Sequence, residues 1–160
     1  MVQERIATAQ WILERQLGWI GAADAKVAAV VAVDTALLAG LAAAVATAGS
    51  SSSKIAIAAA IGAFACAVVS IFFSAWAILP RTQGPSSLLF FGEISKFGCA
   101  EYAAKLRDVP GEEILLDWSQ QIYRNAQIAG AKHKWVRRSM WCGFVAGLFW
   151  TVAVGLLVLP

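Results

Sequence analysis

The 160-residue sequence lacks the residue patterns on which most enzymes depend. It has one histidine, His133, and three cysteines, none of them in a Cys-x-x-Cys pair. It contains no metal-ligand spacing, no Gly-x-x-x-x-Gly-Lys phosphate loop, no glycine-rich dinucleotide turn and no Gly-x-Ser-x-Gly motif. A chain of this length also has no room for a separate enzyme module. These absences predict a non-enzymatic protein without cofactor or metal, in which His133 is a packed or interface residue.

Charge is scarce as well, and it is missing from long stretches. Charged residues make up 14% of the chain and hydrophobic ones 59%. Three windows, 27–48, 55–79 and 140–159, contain no Lys, Arg or Glu, and Asp34 is their one acid. Each window is long enough, as a helix, to cross a hydrocarbon layer of about 30 Å. The sequence therefore predicts an all-α membrane protein with three transmembrane helices, forming a single domain over 1–160.

The basic residues predict the orientation. Three precede the first span and nine lie in 80–139, while Lys54 alone lies between the first two spans. Two crossings put residues 1–26 and 80–139 on the same side, which the positive-inside rule assigns to the cytoplasm. The C-terminus is then outside. No apolar run precedes Val27, so we expect no secretory signal peptide. The net charge of +3 is explained by topology, without a nucleic-acid polymer as partner.

Apolar residues at steps of three and four predict a long helix at each end of the chain. The first runs over 3–48, with Leu17 on its apolar stripe, and the last runs from Glu112 to about Val158, with His133 on its stripe. Both would extend from the cytoplasm into the membrane. The segment 49–53 predicts a turn with a serine N-cap, and 87–107 predicts one or more short helices.

Small residues recur every four positions in each predicted span. In the first span this row begins with Ala28, Ala32 and Ala36. Small residues allow helix backbones to approach closely in a membrane. The rows predict tight helix packing within a protomer, between the protomers of a homo-oligomer, or both. The residues singled out for this packing are Gly40, Ala44, Gly62, Gly143 and Gly147.

Two acids stand out near the first span. Asp34 lies about two turns inside it, where an ionisable group predicts a functional site because it must face a partner or water. Asp24 lies near the cytoplasmic boundary, and Lys26 or Arg137 is available as a cation for either acid. For the basic cluster that contains Lys132 and Arg137, the alternative is ordinary anchoring in lipid headgroups.

The cytoplasmic part of the last helix carries a polar and aromatic patch. Tyr123, Arg124 and Asn125, together with Phe91 and Lys132, are suited to a small anionic ligand that contains a ring. Cations would bind a phosphate, aromatic rings would stack on a base, and amides would bind its edge. An ordinary helix-bundle interface explains the same composition.

Several stretches resemble the Pycsar effector membrane domain family, in order and over nearly the whole chain. They are Ala23-Asp24-Ala25-Lys26-Val27 leading into a span, a second span, Phe90-Phe91-Gly92-Glu93-Ile94, then Gln121-Ile122-Tyr123-Arg124-Asn125-Ala126-Gln127-Ile128, and Lys132 leading into the last span. Asp34 departs from the pattern, in which an uncharged polar residue such as Asn is expected.

The resemblance implies antiphage defence at a bacterial inner membrane. In such systems a pyrimidine cyclase makes cyclic CMP or cyclic UMP on infection, and the membrane effector then impairs the membrane so that the infected cell dies or stops growing. The first hypothesis is thus a nucleotide-responsive effector that oligomerises and permeabilises the lipid bilayer. One alternative is a small constitutive channel or transport subunit with Asp34 as its conduction or proton site. The other is a membrane scaffold that recruits a soluble enzyme.

Overall fold

The structure is a computed structural model that describes residues 2–48, 53–80 and 86–158. Within those ranges the chain is all-α, without a strand. Three of its helices are long and apolar enough to cross a membrane, and these include the first and the last. The predicted fold class is confirmed. The helices are α1 Val2–Thr47, α2 Lys54–Ile78, α3 Phe91–Ile94, α4 Cys99–Asp108 and α5 Gly111–Val158.

The helix starts follow local chemistry. Ser53 caps α2, because its hydroxyl oxygen accepts a hydrogen bond from the Ala56 amide at 3.1 Å. The rest of the predicted turn, 49–52, and most of the loop after α2, 81–85, lie outside the described residues. At the start of α5, Glu112 and Glu113 place negative charge in the first turn, where it complements the helix dipole.

Contacts divide the chain into two compact units. The polar unit consists of Met1–Ala22 with Pro80–Ala131, and the apolar unit of Ala23–Leu79 with Lys132–Pro160. The polar unit therefore holds the first part of α1, the two short helices and the first part of α5. The apolar unit holds α2 and the remaining parts of α1 and α5.

One face of α1 is buried or half-buried at alternating steps of three and four residues. The mean step of about 3.5 is the heptad spacing of closely packed parallel or antiparallel helices. Two polar residues, Gln16 and Asp34, occupy this face, whereas Leu17 is 51% exposed. The predicted stripe through Leu17 is therefore wrong at that position, because the repeat selects Gln16. The face consists of Val2, Ile6, Ala9, Leu13, Gln16, Ile20, Ala23, Val27, Val30, Asp34, Leu37, Leu41 and Ala44.

The inward face of α5 follows the same spacing and is also partly polar. His133, which the apolar pattern placed on this face, is exposed, and its neighbour Lys132 is buried. The prediction of a packed histidine is therefore wrong within the protomer. The hydrophobic pattern alone predicts a buried stripe that lies one residue away from the observed inward face, because polar residues occupy some of the buried positions. The inward face consists of Gln121, Asn125, Ile128, Lys132, Val136, Ser139, Gly143, Ala146, Trp150 and Ala153.

In the apolar unit, α1 and α5 run parallel and α2 runs antiparallel to both. The three helices form a bundle whose interior has three layers. A polar layer of Asp34, Ser70, Ser74 and Ser139 separates two apolar layers. The first apolar layer contains Ala23, Val27, Ala77 and Val136, and the second contains Leu41, Ala59, Ala63 and Ala153.

The bundle buries its small residues and exposes its large apolar ones. The buried residues of α2 are all alanine or serine. By contrast, Ile55 is 68% exposed, Ile61 63% and Phe64 57% on the same helix. A water-soluble bundle buries large side chains, whereas transmembrane helices pack through small residues and face lipid with large apolar ones. The side-chain distribution thus agrees with a membrane as the surrounding solvent.

Replacement of Ser139 by alanine tests the polar layer. We expect Ser139→Ala to lower the free energy of unfolding by about 1–2 kcal/mol, since the Ser74 hydroxyl loses its partner at a position that is inaccessible to solvent. Unfolding by denaturing detergent, followed by circular dichroism, measures this. The control is Ser119→Ala, because Ser119 is exposed on the same helix and bonds only to its own backbone. Equal stability of the two variants would contradict a stabilising role for the layer.

Candidate functional site

Asp34 lies at the centre of the apolar unit, with no access to solvent. Both of its carboxyl oxygens are buried, and neither has a hydrogen-bond partner among the described residues. Gly143 of α5 makes room for it, because a Cβ atom on that glycine would lie 2.9 Å from Asp34 Oδ1 and 3.3 Å from Ser70 Oγ. The carboxyl group therefore occupies a pocket that exists because α5 carries a glycine there.

The neighbouring serines satisfy one another. The Ser70 hydroxyl donates to the backbone carbonyl of Ser139 at 2.9 Å, and the Ser139 hydroxyl lies within 3.0 Å of the Ser70 carbonyl. The hydroxyls of Ser74 and Ser139 are 2.7 Å apart. These bonds join α2 to α5 and leave the carboxyl group of Asp34 as the unsatisfied member of the layer. A buried carboxylate without partners is costly, and such a group commonly binds a proton instead.

Asp24 forms an ion pair with Lys132. The pair joins α1 to α5 at the layer formed by Ala23, Val27 and Val136. The side chain of Lys132 is 10% exposed and that of Asp24 is 40% exposed, so the ammonium group is the more deeply buried partner. We expected Lys26 or Arg137 to be the cation for Asp24, and that expectation is wrong. Lys132 is selected because it lies on the inward face of α5, whereas Lys26 and Arg137 point outward.

The other basic residues at this level line a groove between α1 and α5. Its volume is about 360 Å³, and Lys26 of α1 lies on one side of it. His133, Lys134 and Arg137 of α5 lie on the other. The groove thus contains two of the predicted site residues, Lys26 and Arg137, whereas Lys132 is engaged by Asp24. Lys134 belongs to the basic cluster that the sequence shows at this depth of α5, whereas nothing in the sequence indicated that His133 lies with it.

In the polar unit, the predicted aromatic and amide residues have separate surroundings. Tyr123 is 67% exposed and Phe91 is 69% exposed, and the Phe91 ring packs against Phe90 with centroids 4.8 Å apart. Asn125 donates from its amide to the Gln121 carbonyl of its own helix at 2.9 Å. Arg124 is half-buried. The contacts described for Phe91 and Asn125 are with neighbours in their own segment rather than with each other.

The polar unit has a cavity of about 430 Å³ elsewhere, beside the start of α5. Lys105 lines it together with two acids, Glu113 and Asp117. Asp117 Oδ2 accepts a hydrogen bond from the Leu88 amide at 2.8 Å, while Oδ1 is buried without a partner. Two carboxylates against one ammonium group disfavour an anionic ligand. This cavity could not be predicted from the sequence, because its walls come from three separate segments.

The residues proposed for close helix packing differ in their surroundings. A Cβ on Gly40 would lie 3.0 Å from the Trp150 ring, and one on Gly62 would lie 3.2 Å from the Phe149 ring. Ala44 is buried at 5% exposure. A Cβ on Gly147 would meet nothing within 4 Å. The alanine row that begins at Ala28, Ala32 and Ala36 is exposed in the protomer.

Comparison with known proteins identifies the family of the chain but no individual protein that it matches. No curated protein and no solved structure matches the chain. A family model described as PycTM, the Pycsar effector protein domain, matches residues 8–159. That range includes the Asp24–Lys132 pair, the polar layer around Asp34 and the basic groove. The chain therefore belongs to the Pycsar effector family, whose members are the transmembrane effectors of an antiphage defence system.

Proposed function

We propose that this Pycsar effector binds a cyclic pyrimidine mononucleotide, cyclic CMP or cyclic UMP, and then permeabilises the bacterial inner membrane as a homo-oligomer. Residues 1–26 and 80–139 are in the cytoplasm and the C-terminus is outside, as the basic residues predict. The whole chain acts as one effector domain. The observation that supports the proposal is the polar layer, inaccessible to solvent and containing a buried carboxyl group, inside a bundle of membrane-spanning length.

A polar layer makes a second, hydrated arrangement of the bundle accessible. If α2 and α5 separate, the hydroxyl groups of Ser70, Ser74 and Ser139 lose their hydrogen bonds to each other and form hydrogen bonds to water instead. The net free-energy cost of this exchange is small. An alkyl interior would oppose the entry of water much more strongly. The apolar layers on either side then keep the resting bundle closed. This arrangement supports a two-state element rather than an open pore at rest.

Asp34 gives the hydrated state a charge. In the closed bundle the carboxyl group is buried and forms no ion pair with the described residues, which makes its ionised form costly there. Water around the opened layer would allow it to ionise, and a carboxylate in a water-filled membrane path favours cations. Because an ionised group stabilises the hydrated arrangement, Asp34 also helps to hold the open state once it forms.

The signal must reach this layer through α1 and α5. Each is one uninterrupted helix, of 46 and 48 residues, that contributes to both units. A ligand shifts the equilibrium only if it binds one arrangement of these helices more tightly than the other. The Asp24–Lys132 pair fixes the two helices to each other at the entrance to the bundle. It is therefore the contact whose geometry a shift of either helix changes first.

One alternative has a specific observation in its favour. A constitutive cation channel or transport subunit would also place an acid between its helices, as Asp34 is placed. That protein would conduct without any ligand. A scaffold would conduct under no condition and would co-purify with a stable soluble partner.

The first prediction from the proposed function concerns the response to the ligand. Full-length protein in neutral detergent should bind cyclic CMP or cyclic UMP in calorimetry, and the same nucleotide should increase cation flux from protein-containing liposomes. Absence of binding to both nucleotides by a folded protein would overturn direct sensing. Flux of equal size with and without nucleotide would instead favour the constitutive channel.

Asp34→Asn is the second prediction, and it tests the carboxyl group separately from the fold. Asparagine has nearly the same shape but cannot ionise, so we expect normal ligand binding with ligand-stimulated cation flux reduced by about tenfold or more. The control is Asp108→Asn, which removes an exposed acid at the end of α4 and should leave the flux unchanged. Undiminished flux in Asp34→Asn would exclude Asp34 from the permeation step.

The Asp24–Lys132 pair gives the third prediction for this function. Lys132→Met removes the buried ammonium group but keeps much of the side-chain volume, so we expect an intact fold and a loss of coupling between nucleotide binding and flux. The combined exchange Asp24→Lys with Lys132→Asp should recover part of the response, because opposite charges again face each other. Flux and calorimetry on the same preparations separate binding from coupling. If Lys132→Met responds as the parent does, the pair has no role in transmission.

A further inference from the structure

The basic groove between α1 and α5 has an excess of positive charge. Lys26, Lys134 and Arg137 line it, and no acidic side chain among the described residues does so. Asp24, two residues before Lys26 on α1, forms an ion pair with Lys132, which lies on the inward face of α5. Like charges that converge from two helices repel one another, so the groove favours an anion as its occupant.

We propose that this groove is a binding site for a phosphodiester anion. Arginine and lysine are common partners of phosphate oxygens. The guanidinium group can donate two parallel hydrogen bonds, and the lysine ammonium group adds a positive charge on a flexible side chain. On α5 the two are Lys134 and Arg137, three residues apart and therefore on one side of the helix. Lys26 faces them from α1.

The walls of the groove also suit an organic phosphodiester better than a bare inorganic ion. Val136 forms part of its base, and Met140 lines it on the side where the apolar stretch of α5 begins. An apolar wall next to a cationic one fits a molecule with an apolar portion beside its phosphate. The volume of about 360 Å³ lies at the low end of the range for small-molecule pockets.

Other cavities in the described residues are less suitable for an anion. The 430 Å³ cavity of the polar unit carries Glu113 and Asp117. A larger groove of about 850 Å³, between α1 and α2, is lined by apolar residues such as Leu38, Ile61 and Phe64 and offers no charge. The basic groove therefore combines the charge and the apolar wall that a phosphodiester requires.

Two molecules at a membrane boundary supply this chemistry. One is an anionic phospholipid, whose headgroup is joined through a phosphodiester, and the other is a cyclic mononucleotide, whose ring contains one. The nucleotide source rests on the proposed function, whereas the lipid source does not. In both cases the ligand would join α1 to α5 beside the Asp24–Lys132 pair, so its binding would depend on how these two helices pack.

The test measures both ligands on full-length protein in neutral detergent. Cyclic CMP, cyclic UMP and a short-chain phosphatidylglycerol are each titrated into the parent protein and into the double variant Lys134→Gln with Arg137→Gln. The control is Arg138→Gln, since Arg138 is adjacent on the helix but lies over the Trp135 ring at 4.6 Å and outside the groove. Circular dichroism and gel filtration verify that all variants fold.

We expect the double variant to weaken binding of at least one ligand by about tenfold or more, and Arg138→Gln to change it by less than about twofold. Weakening of cyclic nucleotide binding identifies the nucleotide as occupant, and weakening of phosphatidylglycerol binding identifies the lipid. The inference is overturned if the parent binds neither, if the double variant matches the parent, or if the control weakens binding as much.

These outcomes separate the groove from the proposed function. Nucleotide binding that survives in the double variant would overturn the groove as the nucleotide site and leave the proposed function standing. Binding of phosphatidylglycerol through the groove, in a parent protein that binds no cyclic nucleotide, would support the groove and overturn direct sensing.

Discussion

A polar group inside a membrane bundle must find its partner inside the bundle, because lipid offers no hydrogen bonds. The apolar unit meets this constraint for its serines, which bond to each other and to backbone carbonyls between α2 and α5. It does not meet it for Asp34, whose oxygens are buried without partners. Neighbouring residues provide the space that Asp34 occupies. Gly143 leaves space for the carboxyl group, and alanines on α2 let the three helices approach.

The same constraint explains why the Asp24–Lys132 ion pair and the basic groove lie at the end of the bundle rather than in its middle. Lys132 is nearly buried, yet it has the carboxylate of Asp24 as its partner. Lys26 and Arg137 have no such partner in the bundle and line an exposed groove where water and anions can solvate them. From this end inward, the structure passes from paired and solvated charge, through an apolar layer, to one unpartnered acid.

Much of the fold could be predicted from the sequence, since it depends on length and apolar content. The three long helices follow from uncharged windows, and the N-cap of α2 follows from Ser53. The inward faces of the helices were harder to predict from the sequence. Hydrophobicity favoured Leu17 and His133, whereas the structure buries Gln16 and Lys132. A heptad count would have placed these faces correctly, because spacing is fixed by backbone geometry even where a polar residue occupies the position.

The sequence singles out several charged residues of the candidate site, but it does not show which of them pair. Asp24, Asp34 and Lys132 stand out in the sequence because charge is rare near the spans. Which cation meets which acid depends on the rotation of α1 and α5 about their axes, and one residue along a helix is a rotation of about 100°. That rotation separates Lys132, which meets Asp24, from His133 and Lys134, which line the groove.

The departure at Asp34 has a physical meaning in this setting. An asparagine at this inward position would be polar in both a dry and a hydrated bundle, so it would respond to water only by exchanging hydrogen bonds. In the proposed mechanism an aspartate would change its charge as well, because the ionised form of a carboxyl group needs water or a polar partner. In the two-state mechanism proposed above, the free-energy difference between the closed and the open bundle would include the ionisation of one group, which asparagine cannot contribute. Asp34 would therefore separate a closed, neutral state from an open, charged one more sharply than asparagine would.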